Sequence, residues 1–189
     1  MKIVSSVERF QNRLFTVTED QAIDPDGFEI KRAIVHHRGS AVMMAVDDRR
    51  RILLVRQYRL AAQRYMWELP AGSVDPGEKP LQTAKRELKE ETGYRAKGWR
   101  KLVSFFPSPG FLTEKMTVYL ATGLTAGEAA PMEDERIETR WFTAKEVEAA
   151  IDSEEIQDAK TMLGFLFWKR SGARTLRATS PRVGTPEGK

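Results

Sequence analysis

The chain has 189 residues, with 31 Lys and Arg against 27 Asp and Glu, a formal net charge of +4. That length suits one domain with a real core and room for a small accessory unit. The absence of cysteine excludes disulfide frameworks, zinc–thiolate sites and cysteine nucleophiles, and only two histidines, the adjacent His36 and His37, are present. No apolar run approaches the roughly 20 residues of a membrane span, and the opening MKIVSSVERF lacks the apolar stretch of a signal peptide. A soluble protein of a reducing, cytoplasmic compartment is expected, with chemistry resting on carboxylates, Lys, Arg and hydroxyls.

Residues 13–19 and 28–36 alternate apolar and polar side chains around the turn signal DPDG and read as antiparallel strands. The apolar runs 41–46 and 51–56 flank DDRR and read as core strands joined by a tight connection. From there to residue 76 the chain reads as irregular, broken by Pro70, Gly72 and the Pro76-Gly77 pair. Residues 80–92 form the clearest helix, with Pro80 in its first turn and Gly93 at its left-handed C-terminal cap. Its Leu81, Ala84 and Leu88 make a core-facing stripe. Strands are expected at 100–106, 115–121 and 137–142, and helices at 143–151 and 154–169. From Ser171 the polar, Gly/Pro-rich chain reads as disordered. The order of elements predicts an α/β or α+β domain.

Positive charge concentrates at the C-terminus. From Lys169 onward six basic residues face one acid, leaving 25 basic and 26 acidic residues in 1–168. The basic balance therefore belongs to the tail, and neither nucleic acid nor membrane is an expected partner of the body.

Within the clear helix, Glu87 and Glu91 stack one turn apart, and Glu90 joins them at three residues from Glu87. Such a triple acid edge beside a Gly/Pro-rich loop suits a hard divalent cation that prefers oxygen ligands. An isolated E-x-x-E-E is an ordinary solvated helix face; the preceding loop changes that reading. Gly72, Glu78, Arg86, Glu87, Leu88, Glu90, Glu91 and Gly93 fill every fixed place of G-x5-E-x7-R-E-U-x-E-E-x-G-U, where U is bulky and apolar. Tyr94 stands at the last place, where an aliphatic residue is usual.

This pattern resembles the Nudix hydrolase box. The resemblance implies an α/β/α sandwich with a mixed β-sheet, preceded here by a small N-terminal antiparallel β unit. It also implies Mg²⁺ (or Mn²⁺) and hydrolysis of a nucleoside diphosphate linked to another group. Glu87, Glu90, Glu91 and the Ala71 carbonyl would then be metal ligands, Arg86 would hold the glutamates, and Glu78 would support the loop. LLVRQYR (53–59), WELPAG (67–72) and Pro109, fifteen residues after Tyr94 in SPGFLTE, resemble the ADP-ribose pyrophosphatase branch. Members of that branch supply a base from a mobile acidic loop, which points to MEDERIE (132–138). Glu133 would be the general base and Glu135 a metal ligand, with Asp134 and Glu114 as alternatives for the base.

Arg56 or Arg59 could pair with phosphate through forked donors, and Glu68 with ribose hydroxyls or the adenine amine. Phe28, beside the DPDG turn, could stack on adenine or pack in a strand-face core. The resemblance thus implies an N-terminal unit over 1–38 that dimerises and contacts substrate, a Nudix domain over 39–170 and a basic tail over 171–189. ADP-ribose is the expected substrate, yielding AMP and ribose 5-phosphate. Another nucleoside diphosphate sugar such as GDP-mannose is the alternative, and a non-catalytic nucleotide-binding module a further one.

Overall fold

The run SAVMMA is apolar at nearly every position because it is covered on both faces. In the computed structural model, which describes residues 1–130 and 136–178 (backbone alone from 173), it forms strand β4, Ser40–Ala45, buried throughout. Val42 and Met44 point into one core cluster, while Ala41, Met43 and Ala45 point into another. A continuous apolar strand is what a doubly covered sheet requires. Helix α1, Pro80–Thr92, closes the second cluster with Ala84 and Leu88. Helices α2, Ala144–Asp152, and α3, Ala159–Ala178, contribute Val147, Ala150, Phe165 and Trp168 to the first. The result is an α/β/α sandwich.

Among the described residues the strands form three sheets. The N-terminal one joins β1, Lys2–Gln11, β2, Phe15–Ile23, and β3, Glu29–His37, as an antiparallel meander. Gly27, with φ of 87°, and the Asp24 carboxylate, which accepts from the Asp26 and Phe28 N–H groups, shape the turn between β2 and β3. A four-stranded mixed sheet runs β7, Ala71–Ser73, then β4, β9, Met116–Thr125, and β8, Arg95–Phe105, with β4 and β9 parallel. The third sheet places β5, Ile52–Arg59, between β10, Glu138–Phe142, and β6, Arg64–Glu68.

The runs around DDRR are core strands joined by a tight connection, as expected, with Arg50 N–H donating to the Asp47 carbonyl in the turn. After a single bridge between Val46 and Ile52 they part into different sheets. Each has apolar residues for two faces, so each needs its own neighbours. The stretch read as irregular contains β6 and β7, because RYMWE finds a complete antiparallel partner in β5 that its own composition does not announce. The last helix starts at Ala159 and runs to Ala178, eight residues into the segment expected to be disordered. Ala, Arg and Leu in GARTLRA favour helix continuation over the Gly/Pro-rich remainder. Residues 179–189 lie outside the described residues.

The N-terminal sheet is tied to the core through SPGFLTE. Val35 donates to the Phe111 carbonyl at 2.7 Å and accepts from Thr113 N–H at 2.9 Å, while Thr113 Oγ1 accepts from His37 N–H. This contact carries the chain from Pro109 to Glu114 back to the start of β4. At the other end of the core, Gly93 takes φ of 74°, and a Cβ there would meet the Gly127 carbonyl oxygen at 2.5 Å. Only glycine lets the loop after β9 pass so close. Ala130 N–H then donates to the Glu90 carbonyl at 2.9 Å, anchoring the chain to α1 just before residue 131. Among the described residues no helix is long and apolar enough to cross a membrane.

Candidate active site

The acidic face of α1 is organised by one guanidinium. Arg86 reaches Asp75 at 3.2 Å, Glu78 at 3.0 Å, Glu87 at 2.7 Å and Glu90 at 3.0 Å. Four carboxylates gathered this closely repel one another, and a cation at their centre offsets that repulsion. The array raises the Arg86 pKa, chiefly through its hydrogen bonds to Glu78. Glu78 also accepts from Thr83 Oγ1, so the loop acid is held against the first turns of α1.

The box glycine has a measurable purpose. A Cβ built on Gly72 would lie 2.0 Å from Glu87 Cδ and 2.1 Å from its Oε1. The Glu87 carboxylate therefore rests directly on the β7 backbone, next to Ala71. Glu91, 4% exposed, lies one turn further along the helix. Among the described residues no three His, Asp or Glu side chains are drawn together as a metal-binding cluster; Glu87 and Glu90 instead both accept from Arg86 Nη1, at 2.7 and 3.0 Å. The donor set is nevertheless all oxygen: three carboxylates and the adjoining main chain.

A cleft of about 380 Å³ opens beside β7, lined by Ala71, Gly72 and Ser73 and by Arg59, Glu68, Lys160 and Glu114. Glu114 accepts from Ser40 Oγ, and His37 Nδ1 lies 3.6 Å from it. A larger groove, about 530 Å³, runs between α2 and α3 and shares none of these residues.

A NUDIX domain model matches residues 35–164. The chain belongs to the Nudix family. It is similar to the ADP-ribose pyrophosphatase of Bacillus subtilis (strain 168), with 37% identity over 162 residues, spanning 85% of this chain and 88% of that one. It is also similar to the methanol dehydrogenase activator of Bacillus methanolicus, at 36% identity over 164 residues, 86% of this chain and 89% of that one. Among solved structures, one described as an ADP compounds hydrolase superposes with a TM-score of 0.76 at 22% identity, covering 94% of this chain and 97% of that one. At that identity the superposition establishes the shared fold.

In this Nudix chain the expected substrate contacts separate. Antiparallel register pairs Val55 with Glu68, Gln57 with Met66 and Arg59 with Arg64, so these side chains share one face of the β5–β6 ribbon. Arg59 and Glu68 face the cleft on it. Arg56 pairs with Trp67 on the opposite face, bonds Glu138 at 3.3 Å and lies over the Tyr65 ring. The alternation of a strand thus takes Arg56 out of the candidate site.

Glu68 is not free to greet a ribose or an adenine amine. It is 1% exposed and accepts both Nε and Nη2 of Arg59, at 2.8 and 2.7 Å, together with Lys160 Nζ. Burial pushes its carboxyl up, but the Arg59 hydrogen bonds and the Lys160 charge outweigh this and hold it below the ordinary range. Phe28 is 64% exposed beside the β2–β3 turn, so the strand-face core role fails for it. Pro109 lines a separate apolar pocket with Ile34, Phe106 and Phe111, away from the cleft, while Glu114 does line the cleft. Glu133, Asp134 and Glu135 lie outside the described residues.

Lys160, Asp158 and Ser40 join the site without having been expected there. Asp158 and Thr161 carry a local signal, since an acid three residues before a Thr suits a helix start; Asp158 accepts from Thr161 N–H at 2.9 Å. Lys160 carries none, being 92 positions from Glu68.

The ion pairs make one prediction about pH. Hydrogen bonds from Arg86 hold the Glu78 carboxyl at about 2, against an ordinary 4.5. A depressed carboxyl contributes stability that is present above its unfolded value and lost as pH falls through its folded value. Stability should therefore fall between pH 4.5 and about 2, and Glu78→Gln should lose that part of the slope. Urea-unfolding midpoints measured at stepped pH check this; an unchanged slope in the variant would refute the pairing.

Proposed function

We propose that this Nudix chain hydrolyses the pyrophosphate bond of ADP-ribose to AMP and ribose 5-phosphate. The observation that carries the reading is the complete box folded as one unit, with Glu87 seated on Gly72 beside a cleft that displays Arg59. The similarity to ADP-ribose pyrophosphatase supports the substrate class. Ala71 through its carbonyl, with Glu87, Glu90 and Glu91, would hold Mg²⁺ or Mn²⁺, and the all-oxygen donor set fits such an ion. When bound, the ion neutralises diphosphate charge and lowers the pKa of water.

The chain's own groups have distinct tasks. Arg59 offers the part of its fork not spent on Glu68 to the diphosphate. Arg86 keeps the α1 carboxylates together and Glu78 holds Arg86. Glu133 takes the proton of the attacking water, supported by Glu135, and the anchor of Ala130 on the Glu90 carbonyl brings the chain to the Nudix helix just before them. Glu114, which lines the cleft, is the alternative base.

The decisive experiment is product analysis in heavy-oxygen water across ADP-ribose, GDP-mannose, other nucleotide sugars and dinucleotides. Release of labelled AMP or ribose 5-phosphate from ADP-ribose supports the reading and identifies the attacked phosphorus. Indifference to ADP-ribose with rapid turnover of another compound would establish the alternative substrate. No turnover of any compound in the presence of Mg²⁺ or Mn²⁺ would favour the binding-module reading.

The same reading includes a homodimer formed through the N-terminal strands. Ile3, Val4, Val7 and Phe10 are all exposed on β1, apolar side chains that a single chain leaves uncovered. Sedimentation equilibrium should return twice the chain mass; a monomer at micromolar concentration would overturn this part.

A further inference from the structure

We propose that Lys160 is a positioning residue for substrate binding: from the start of α3 it clamps Glu68, and through Glu68 it fixes the direction in which Arg59 presents its guanidinium to a diphosphate. The inference rests on the hydrolase reading above and extends it to a residue outside the Nudix box.

The geometry separates Lys160 from the groups that would touch substrate. Its side chain is 7% exposed and its ammonium is committed to two carboxylates, Glu68 and, at 2.9 Å, Asp158. The Arg59 side chain is 41% exposed and stands on the cleft wall. Side-on engagement by Glu68 uses Arg59 Nε and Nη2 and leaves the Nη1 end of the fork for a second partner. A carboxylate can orient that fork only if it is itself held, and Glu68 sits on the last residue of β6, where the strand gives way to Leu69 and Pro70. Lys160 supplies the second hold from a different layer of the fold.

The support for Lys160 is also built. Asp158 accepts from both the N–H and the Oγ1 of Thr161, at 2.9 and 2.5 Å, and Thr161 Oγ1 in turn accepts from Leu69 N–H at 2.8 Å. The residue after Glu68 and the residue after Lys160 are thus bonded to each other, so α3 and the end of β6 are locked in register. Two cations and two anions in this group cancel in charge. Lys160 completes that balance, so Lys160→Arg, which preserves the charge, separates the effect of geometry from that of charge.

The test is a double-mutant cycle in ADP-ribose hydrolysis with Lys160→Met, Arg59→Ala and the pair. Lys160→Met alone is expected to raise KM by ~10-fold while kcat stays within about 3-fold. In the Arg59→Ala background the same change should raise KM by less than about 2-fold, because the group it positions is gone. Equal KM effects in both backgrounds would overturn the proposal, as would a fall in kcat at constant KM. Should Lys160→Met fail to fold, Lys160→Arg, which keeps the charge but not the ammonium geometry, carries the same cycle and is judged by the same two outcomes. The parent enzyme is assayed alongside: inactivity of the parent on ADP-ribose defeats the hydrolase reading, whereas an active parent with an additive cycle defeats only the role of Lys160.

Discussion

Turnover of ADP-ribose is expected to fall by ~10³-fold or more in Glu91→Gln, with the fold preserved. Losing one carboxylate from an ion's coordination shell removes several kcal/mol of stabilisation of the developing charge, and about 4 kcal/mol corresponds to ~10³ in rate. The substitution keeps the shape of the side chain, which is 4% exposed on the buried edge of α1. Packing of the helix rests on Ala84 and Leu88, both fully buried, so their contacts are untouched. The desolvation cost of a buried charge disappears in the variant, which opposes any loss of stability. Three measurements separate the possibilities: kcat with Mg²⁺, calorimetric titration with Mn²⁺, and the urea-unfolding midpoint. Lost turnover and weakened Mn²⁺ binding at an unchanged midpoint support the assignment. Wild-type turnover in Glu91→Gln would refute it.

The second large effect is expected at a residue with no side chain. In Gly72→Ala the new methyl would stand 2.0 Å from Glu87 Cδ, so the carboxylate must leave the β7 backbone. Glu87 is long and can rotate away, hence the fold should survive. The displaced carboxylate would no longer rest on Gly72, and its 2.7 Å pair with Arg86 would be disturbed as well. Misplacing a ligand through its supporting group costs roughly 10–100-fold in metal affinity or activity. We expect about 100-fold lower kcat/KM at low Mg²⁺, partly recovered at high Mg²⁺. Steady-state kinetics across a metal titration checks this; a loss independent of metal concentration would place the defect elsewhere.

Local pattern determined much of the Nudix helix. The spacing of Leu81, Ala84 and Leu88, the Pro80 start and the Gly93 stop are all interactions within about one or two turns, and such short-range rules are written in consecutive residues. The box went further, because eight spaced identities fix a loop and a helix together. Legibility ended where a contact depended on a strand partner. Whether Arg56 or Arg59 faces the cleft is set by the β5–β6 register, and a shift of one residue would exchange them. RYMWE carries too little apolar alternation to be read as a strand without knowing that β5 lies beside it.

Sequence by itself therefore determined the family, the acidic face of α1, the pairing of Arg86 with its glutamates and the location of excess positive charge in the C-terminal segment. Tertiary structure alone decided that β4 and β5 belong to different sheets, that Arg56 turns away from the cleft, and that Pro109 and Phe28 stand apart from it. It also decided that Glu68 is buried between Arg59 and Lys160, nine and 92 positions away. The physical reason is one of range. A helix face is closed by residues three and four apart, whereas a buried carboxylate is tolerated only where the whole fold brings cations to it.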